Sequence, residues 1–145
     1  MNHDLLFSFF NSLALVGWSF LIFFPNFKIT KLCIRSGYLS IFFCLSYTII
    51  CVIALTSNAP GGFQKLDELM ILFDNKSWVL TGWIHYLAFD LFIGSWILKD
   101  SIKHNIRHAL IIPSLIFTFI LGPFGFIIYF ITRAIYLNKI LSLNE

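Results

Sequence analysis

The sequence predicts an all-α polytopic membrane protein: a four-helix bundle with a short amphipathic helix at the interface. Three observations predict it. Charged residues make up 12% of the 145-residue chain and apolar residues 59%, against about 25% and about 45–50% in a soluble domain. The mean hydropathy is +0.86. The chain also divides into four long runs that are empty, or nearly empty, of charge. This balance excludes a soluble globular domain, a disordered tail and a nucleic-acid module. The length suits a single domain over residues 1–145.

Leu5 to Phe27, Ser36 to Gln64 and Ala109 to Thr132 contain no Asp, Glu, Lys or Arg, and Ser77 to Leu98 contains only Asp90. A hydrocarbon core about 30 Å thick takes roughly 20 residues of helix, so each run crosses once. The spans fall near Leu5–Phe24, Tyr38–Leu55, Trp78–Leu98 and Leu110–Ile131. None shows the period-two alternation of a barrel strand. Trp78, Tyr38 and Tyr136 fall near span ends, where amphipathic rings favour the interface. The leader before Leu5 has no Lys or Arg and the apolar run is long for a signal peptide, so the first span is expected to stay attached. Between the second and third spans, Pro60-Gly61-Gly62 ends a helix. Leu66, Leu69, Met70 and Phe73 then recur at helical spacing among charges. This is the interfacial helix, as a cap on the bundle or a lid over a lipid-side entrance.

The first connection holds Lys28, Lys31 and Arg35, and the third holds Lys99, Lys103 and Arg107 with one acid, Asp100. The second holds Lys65 and Lys76 against Asp67, Glu68 and Asp74. The positive-inside rule puts the first and third connections in the cytoplasm. Four crossings then leave both termini outside, with Arg133 and Lys139 against the rule. The net charge of +3 is therefore a topology signal, and no nucleic-acid partner is expected. Cys33, Cys44 and Cys51 contain no CxxC pair. Cys44 and Cys51 share a helix face and read as small buried apolar groups. His3, His104 and His108 lie at span ends, so neither a metal site nor a two-histidine haem is expected, and no cofactor is implied. His104 and His108, beside Lys103 and Arg107, read as a basic patch facing headgroups.

The third span carries the unusual chemistry. His85 and Asp90 flank its midpoint, within roughly 5 Å of the bilayer centre at 1.5 Å per residue. A charged side chain there costs about 2.5–3.5 kcal/mol on insertion scales. Five residues of helix separate the two by about 140°, so they do not share a face. Two readings stay open: polar groups bonded to other helices, or an acid and a base flanking one intramembrane site. Asn11 and Trp18 share a face of the first span, and Ser46, Tyr47 and Thr48 lie in the second. In the fourth span, Pro123 removes a donor and frees the Phe119 carbonyl. Broken helix at that depth is tolerated where it packs on protein or lines a cavity. His85 and Asp90 are expected to point inward, toward the Pro123 kink and the Asn11–Trp18 face.

The stretch Gly82-Trp83-Ile84-His85-Tyr86-Leu87-Ala88-Phe89-Asp90-Leu91-Phe92, followed by Gly94, Trp96 and Asp100, resembles the signature of the abscisic-acid-deficient-four-like membrane proteins. Asn11 through Trp18 to Pro25, and Phe119 through Gly122-Pro123-Phe124-Gly125 to Tyr129, are similar to the same family. The resemblance covers nearly the whole chain and implies a four-span bundle. It also implies a relation to neoxanthin synthase, which links violaxanthin to neoxanthin by opening an epoxide and forming an allene. That isomerisation needs an acid and a base but no metal or redox group. The site so implied has His85 and Asp90 as catalytic residues. Asn11, Trp18, Trp83, Tyr86, Trp96 and Pro123 would line a lipophilic polyene such as a carotenoid. The alternative is a non-enzymatic membrane protein that binds carotenoid or lipid or scaffolds a partner. A small transporter is a weaker third reading, since no repeat is present. Membrane lipid is the expected surrounding. The absence of a transit-peptide-like leader favours a bacterial inner membrane. Gly82, Gly94 and Gly122 serve either a homo-oligomer or contacts within one chain.

Overall fold

A computed structural model describes residues 2–137, and every regular element among them is helical. The helices are α1 (His3–Phe23), α2 (Tyr38–Leu55), α3 (Leu66–Phe73), α4 (Lys76–Lys103), α5 (His108–Leu121) and α6 (Pro123–Leu137), with a π-helical turn at Thr30–Arg35. By length and composition, α1 and α2 are able to cross a membrane, while α5 and α6 are shorter apolar helices.

The 28-residue α4 is the axis of the molecule, and each of the other α-helices packs on it. Asn75 starts it by accepting the Ser77 N–H at 2.9 Å, which satisfies one of the free donors of the first turn. α1 runs parallel to α4. His3 Nε2 meets Ser77 Oγ at 2.9 Å at one end, and His108 Nε2 meets the Ile22 carbonyl at 2.8 Å at the other. α2 runs antiparallel, with Tyr47 beside His85 and Ala54 beside Trp78. The contact of α1 with α4 is close because Gly94 has no side chain: a Cβ there would lie 2.5 Å from the Trp18 ring. Small residues let apolar helices approach in this way.

The fourth apolar run folds as two helices, not one. They form a helical hairpin that starts at the His108 end and returns to it. The reversal sits at Gly122, whose φ of +51° suits a residue without Cβ. Pro123 opens α6, a position where its missing N–H has no helical partner to lose. The two arms touch at Gly125, where a Cβ would fall 2.0 Å from the Thr118 nitrogen and 2.5 Å from the Ser114 carbonyl oxygen. At its far end α6 rejoins the start of the hairpin, where Tyr136 donates to the Asn105 carbonyl at 2.9 Å.

The expected straight fourth span, Leu110–Ile131, is thus corrected to two half-length arms. One consequence is that His3 and Tyr136 lie at opposite ends of α4, not at the same end. Arg133 thus lies at the same end of α4 as Lys99 and Lys103, where it bonds Asp100. Lys139 lies outside the described residues.

α3 forms where expected, but Leu72 seats it on Ala54 and Trp78. Leu66, Met70 and Phe73 remain exposed. Trp78 is buried and meets the Phe63 ring, so it is a packing residue. Cys44 is exposed and Cys51 half-buried, which corrects their placement in the core. His104 and His108 turn inward to Arg133 and Ile22, so they form no headgroup patch.

The Gly125 contact yields a test. Replacing Gly125 with Ala pushes a methyl group into backbone, not into a movable side chain. Overpacking of this kind costs about 1–3 kcal/mol. Thermal unfolding in detergent should show the loss, while Gly82→Ala, whose Cβ would meet only a Phe73 ring atom at 3.9 Å, should be nearly neutral by comparison.

Candidate functional site at the hairpin tip

Asp90 is the fifteenth residue of the 28 in α4, at its middle. It is 8% exposed, and its carboxyl faces the hairpin tip. A Cβ on Gly122 would lie 2.8 Å from Asp90 Oδ1, so the carboxyl rests on bare backbone. Oδ2 is buried and has no hydrogen-bond partner. Such a group is costly to leave unsatisfied, and its position beside a chain reversal marks the centre of the site.

Tyr86, one turn earlier, adjoins the same carboxyl. Its hydroxyl lies 3.1 Å from the Phe119 carbonyl and 3.2 Å from that of Ile120, donating one proton shared between them. These are the carbonyls that the helix break leaves without a following turn. Tyr86 therefore serves two of the carbonyls freed at the tip and fixes the tip against α4. Trp18 is buried between Gly94 and the Phe119 ring, 5.5 Å from the latter.

The other expected site residues separate. Asn11 Oδ1 accepts the Trp83 indole N–H at 2.7 Å, and the Trp83 ring lies 5.5 Å from that of Tyr86, so this pair flanks the tip along α1. Trp96 instead packs on α6, with Phe126, Tyr129 and Phe130 around it. Pro123 is exposed at the start of α6. His85 does not point inward with Asp90. It is exposed on the α2 side, stacked on Phe89 at 4.7 Å and edge-on to Tyr47 at 5.4 Å. The physical reason is the helical angle of about 140° between the two positions: with Asp90 turned to α5 and α6, His85 must face elsewhere.

A second polar cluster lies at the basic end. Asp100 Oδ2 accepts from the Tyr129 hydroxyl at 2.6 Å and from Arg133 Nε at 2.9 Å. Arg133 Nη2 also donates to His104 Nε2 at 3.1 Å. Tyr129 and Arg133 are four apart on α6, and Asp100 and His104 are four apart on α4. That double spacing was the available signal. It is weak, because it becomes meaningful only once α6 is known to return. Among the described residues, no group of three or more His, Cys, Asp or Glu is placed to hold a metal ion.

The fold and site define a small apolar helical protein with a hairpin tip set against a buried carboxyl. The chain belongs to the ABA DEFICIENT 4-like family, whose model matches residues 5–129. It is similar to Protein ABA DEFICIENT 4, chloroplastic, of Arabidopsis thaliana, with 27% identity over 124 residues. That alignment covers 79% of this chain and 54% of the plant protein, so the chain spans about half the length of this curated relative. No solved structure matches.

The Asp100 cluster predicts unequal costs. Arg133→Met leaves the Asp100 carboxylate buried without its cation, and breaking such a pair costs about 3–5 kcal/mol. Tyr129→Phe removes one hydrogen bond and should cost about 1–3 kcal/mol. Unfolding midpoints in detergent should rank wild type above Tyr129→Phe above Arg133→Met.

Proposed function

We propose that the chain is an integral membrane isomerase of a lipophilic polyene, with Asp90 as its proton-transfer group and no resident cofactor. The observation that carries this reading is the buried Asp90 carboxyl, with Oδ2 unpartnered beside the Gly122 reversal. The reaction class proposed, the opening of an epoxide with formation of an allene, follows the resemblance to neoxanthin synthase-related proteins.

The structure supports a single carboxyl more than an acid–base pair, since His85 faces away from Asp90. A protonated carboxyl has a donor on one oxygen and free lone pairs on the other. One oxygen gives its proton to the epoxide oxygen as the carbon–oxygen bond breaks. The other takes the proton from the neighbouring carbon. The released carbon–hydrogen electron pair becomes the new double bond, and the epoxide oxygen ends as a hydroxyl. Atoms balance, and the carboxyl returns to its starting protonation. Tyr86 and Gly122 position the carboxyl, while Trp18, Asn11 and Trp83 form the adjoining α1–α4 wall.

In this reading α1, α2 and α4 cross the bilayer and the α5–α6 hairpin re-enters from the basic side. Broken helix at such depth is tolerated where protein covers it. The basic end faces the cytoplasm by the positive-inside rule. In a variant with Cys33, Cys44 and Cys51 replaced by Ser, single cysteines at Lys28 and Tyr136 should label from one side of the membrane. One at Asn58 should label from the other. Labelling of Tyr136→Cys together with Asn58→Cys would restore four crossings.

The second reading, a binder without catalysis, is favoured by a cavity between α2 and α4 that does not include Asp90. Expression in carotenoid-producing cells with pigment analysis separates the two. Asp90→Asn should insert normally and lose roughly 10²–10⁴-fold in conversion, while His85→Ala should keep most of it. Full conversion by Asp90→Asn would remove the enzyme reading. An equal loss in a well-inserted His85→Ala would remove the single-carboxyl mechanism.

A further inference from the structure

An unassigned feature lies on the opposite side of α4 from the hairpin tip. A cavity of about 450 Å³ opens between α2 and α4 at the basic end, within the usual size of ligand sites. Its inner wall is apolar, built from Ile41, Cys44, Phe89 and Phe92. Its rim carries two cations, Arg35 and Lys99, and neither has an acidic partner among the described residues.

Ser40 supplies an independent observation. It lines the cavity, is 2% exposed, and its hydroxyl has no hydrogen-bond partner. Other serines of these helices turn back onto their own backbone: Ser36 onto the Leu32 carbonyl, Ser46 onto Phe42 and Ser95 onto Leu91. Ser40 does not. A buried hydroxyl left open costs free energy unless a partner arrives. Here it stands one turn inside a two-cation rim, where an acceptor with negative charge would meet it.

We propose that this cavity binds one anionic phospholipid, its phosphate held by Arg35, Lys99 and the Ser40 hydroxyl and one acyl chain lying along Ile41, Phe89 and Phe92. The arrangement fits an amphiphile better than a free anion, because the cations occupy only the rim and the volume behind them is apolar. It also fits the basic end of the molecule, where anionic headgroups gather on basic residues. The proposal rests on the membrane placement above but not on the isomerase activity. The site is separate from Asp90.

The test is lipid retention by the full chain in detergent, read by native mass spectrometry. The probes are dioleoylphosphatidylglycerol and dioleoylphosphatidylcholine. One phosphatidylglycerol per chain should be retained with roughly tenfold preference over phosphatidylcholine. The Arg35→Gln/Lys99→Gln double variant should lose that preference with helicity unchanged by circular dichroism. Cys44→Trp, which fills the apolar wall, should lower retention of both lipids. Ser40→Ala should lower retention of both lipids, since both carry the phosphate. Equal retention of the two lipids, or a preference that survives the double variant, would overturn the proposal. Displacement of the lipid by excess inorganic phosphate alone would also overturn it, in favour of a free-anion site. Resistance of the protein to alkaline extraction from membranes checks the membrane placement separately.

Discussion

A chain that reverses inside an apolar layer must find partners for the backbone groups that the reversal frees. An unsatisfied amide or carbonyl there costs several kcal/mol. Pro123 has no N–H to offer Phe119, and the turn at Gly122 leads α6 away from the axis of α5. The Tyr86 hydroxyl answers both the Phe119 and the Ile120 carbonyl. Much else follows from that one contact. It holds the tip against the middle of α4, brings Gly122 under Asp90, and aims α6 back toward Asp100.

The far end of the hairpin is closed by a different device. Asp100 receives Tyr129 and Arg133 at 2.6 and 2.9 Å, and the Asp100 and Arg133 side chains are only 11% and 7% exposed. A pair so buried adds little net stability compared with apolar packing, but it does distinguish one arrangement of helices from another. Here the pair forms because α6 returns along α5 to reach Asp100 on α4. At the tip Asp90 has an open oxygen and no cation beside it. The two aspartates of α4 thus have opposite surroundings: Asp100 is fully engaged in structure, and Asp90 retains capacity for chemistry.

Composition and uncharged runs made the helical class legible, and α1, α2 and α3 begin and end close to where the spacing of apolar and breaker residues places them. Asp90, Tyr86, Trp18 and the Gly-Pro break stand out in the sequence as unusual in apolar helices, and the structure brings them together at the hairpin tip. The hairpin was not. A run of 24 uncharged residues from Ala109 to Thr132 has the length of a crossing, and length cannot tell a kink at Gly122-Pro123 from a full reversal. The discriminating information is tertiary: the hydroxyl of Tyr86, the absence of a side chain at Gly125 and the charge on Arg133 act together only after the chain has turned. His85 was misplaced for a simpler reason. Its rarity in a span drew it into the site, although its angular offset from Asp90 already pointed to another face.

The hairpin arms are about 21 and 22 Å long, from their 14 and 15 residues at 1.5 Å per residue. In a bilayer their tip ends partway through, with Ile120, Leu121 and Phe124 exposed. The two leaflets therefore meet different surfaces. On the basic side, lipids run alongside α5 and α6. To the other leaflet α5 and α6 would present only their tip. Under the placement proposed above, the fold is therefore asymmetric across the membrane, and the Gly122 reversal and the Asp90 carboxyl share one depth within it.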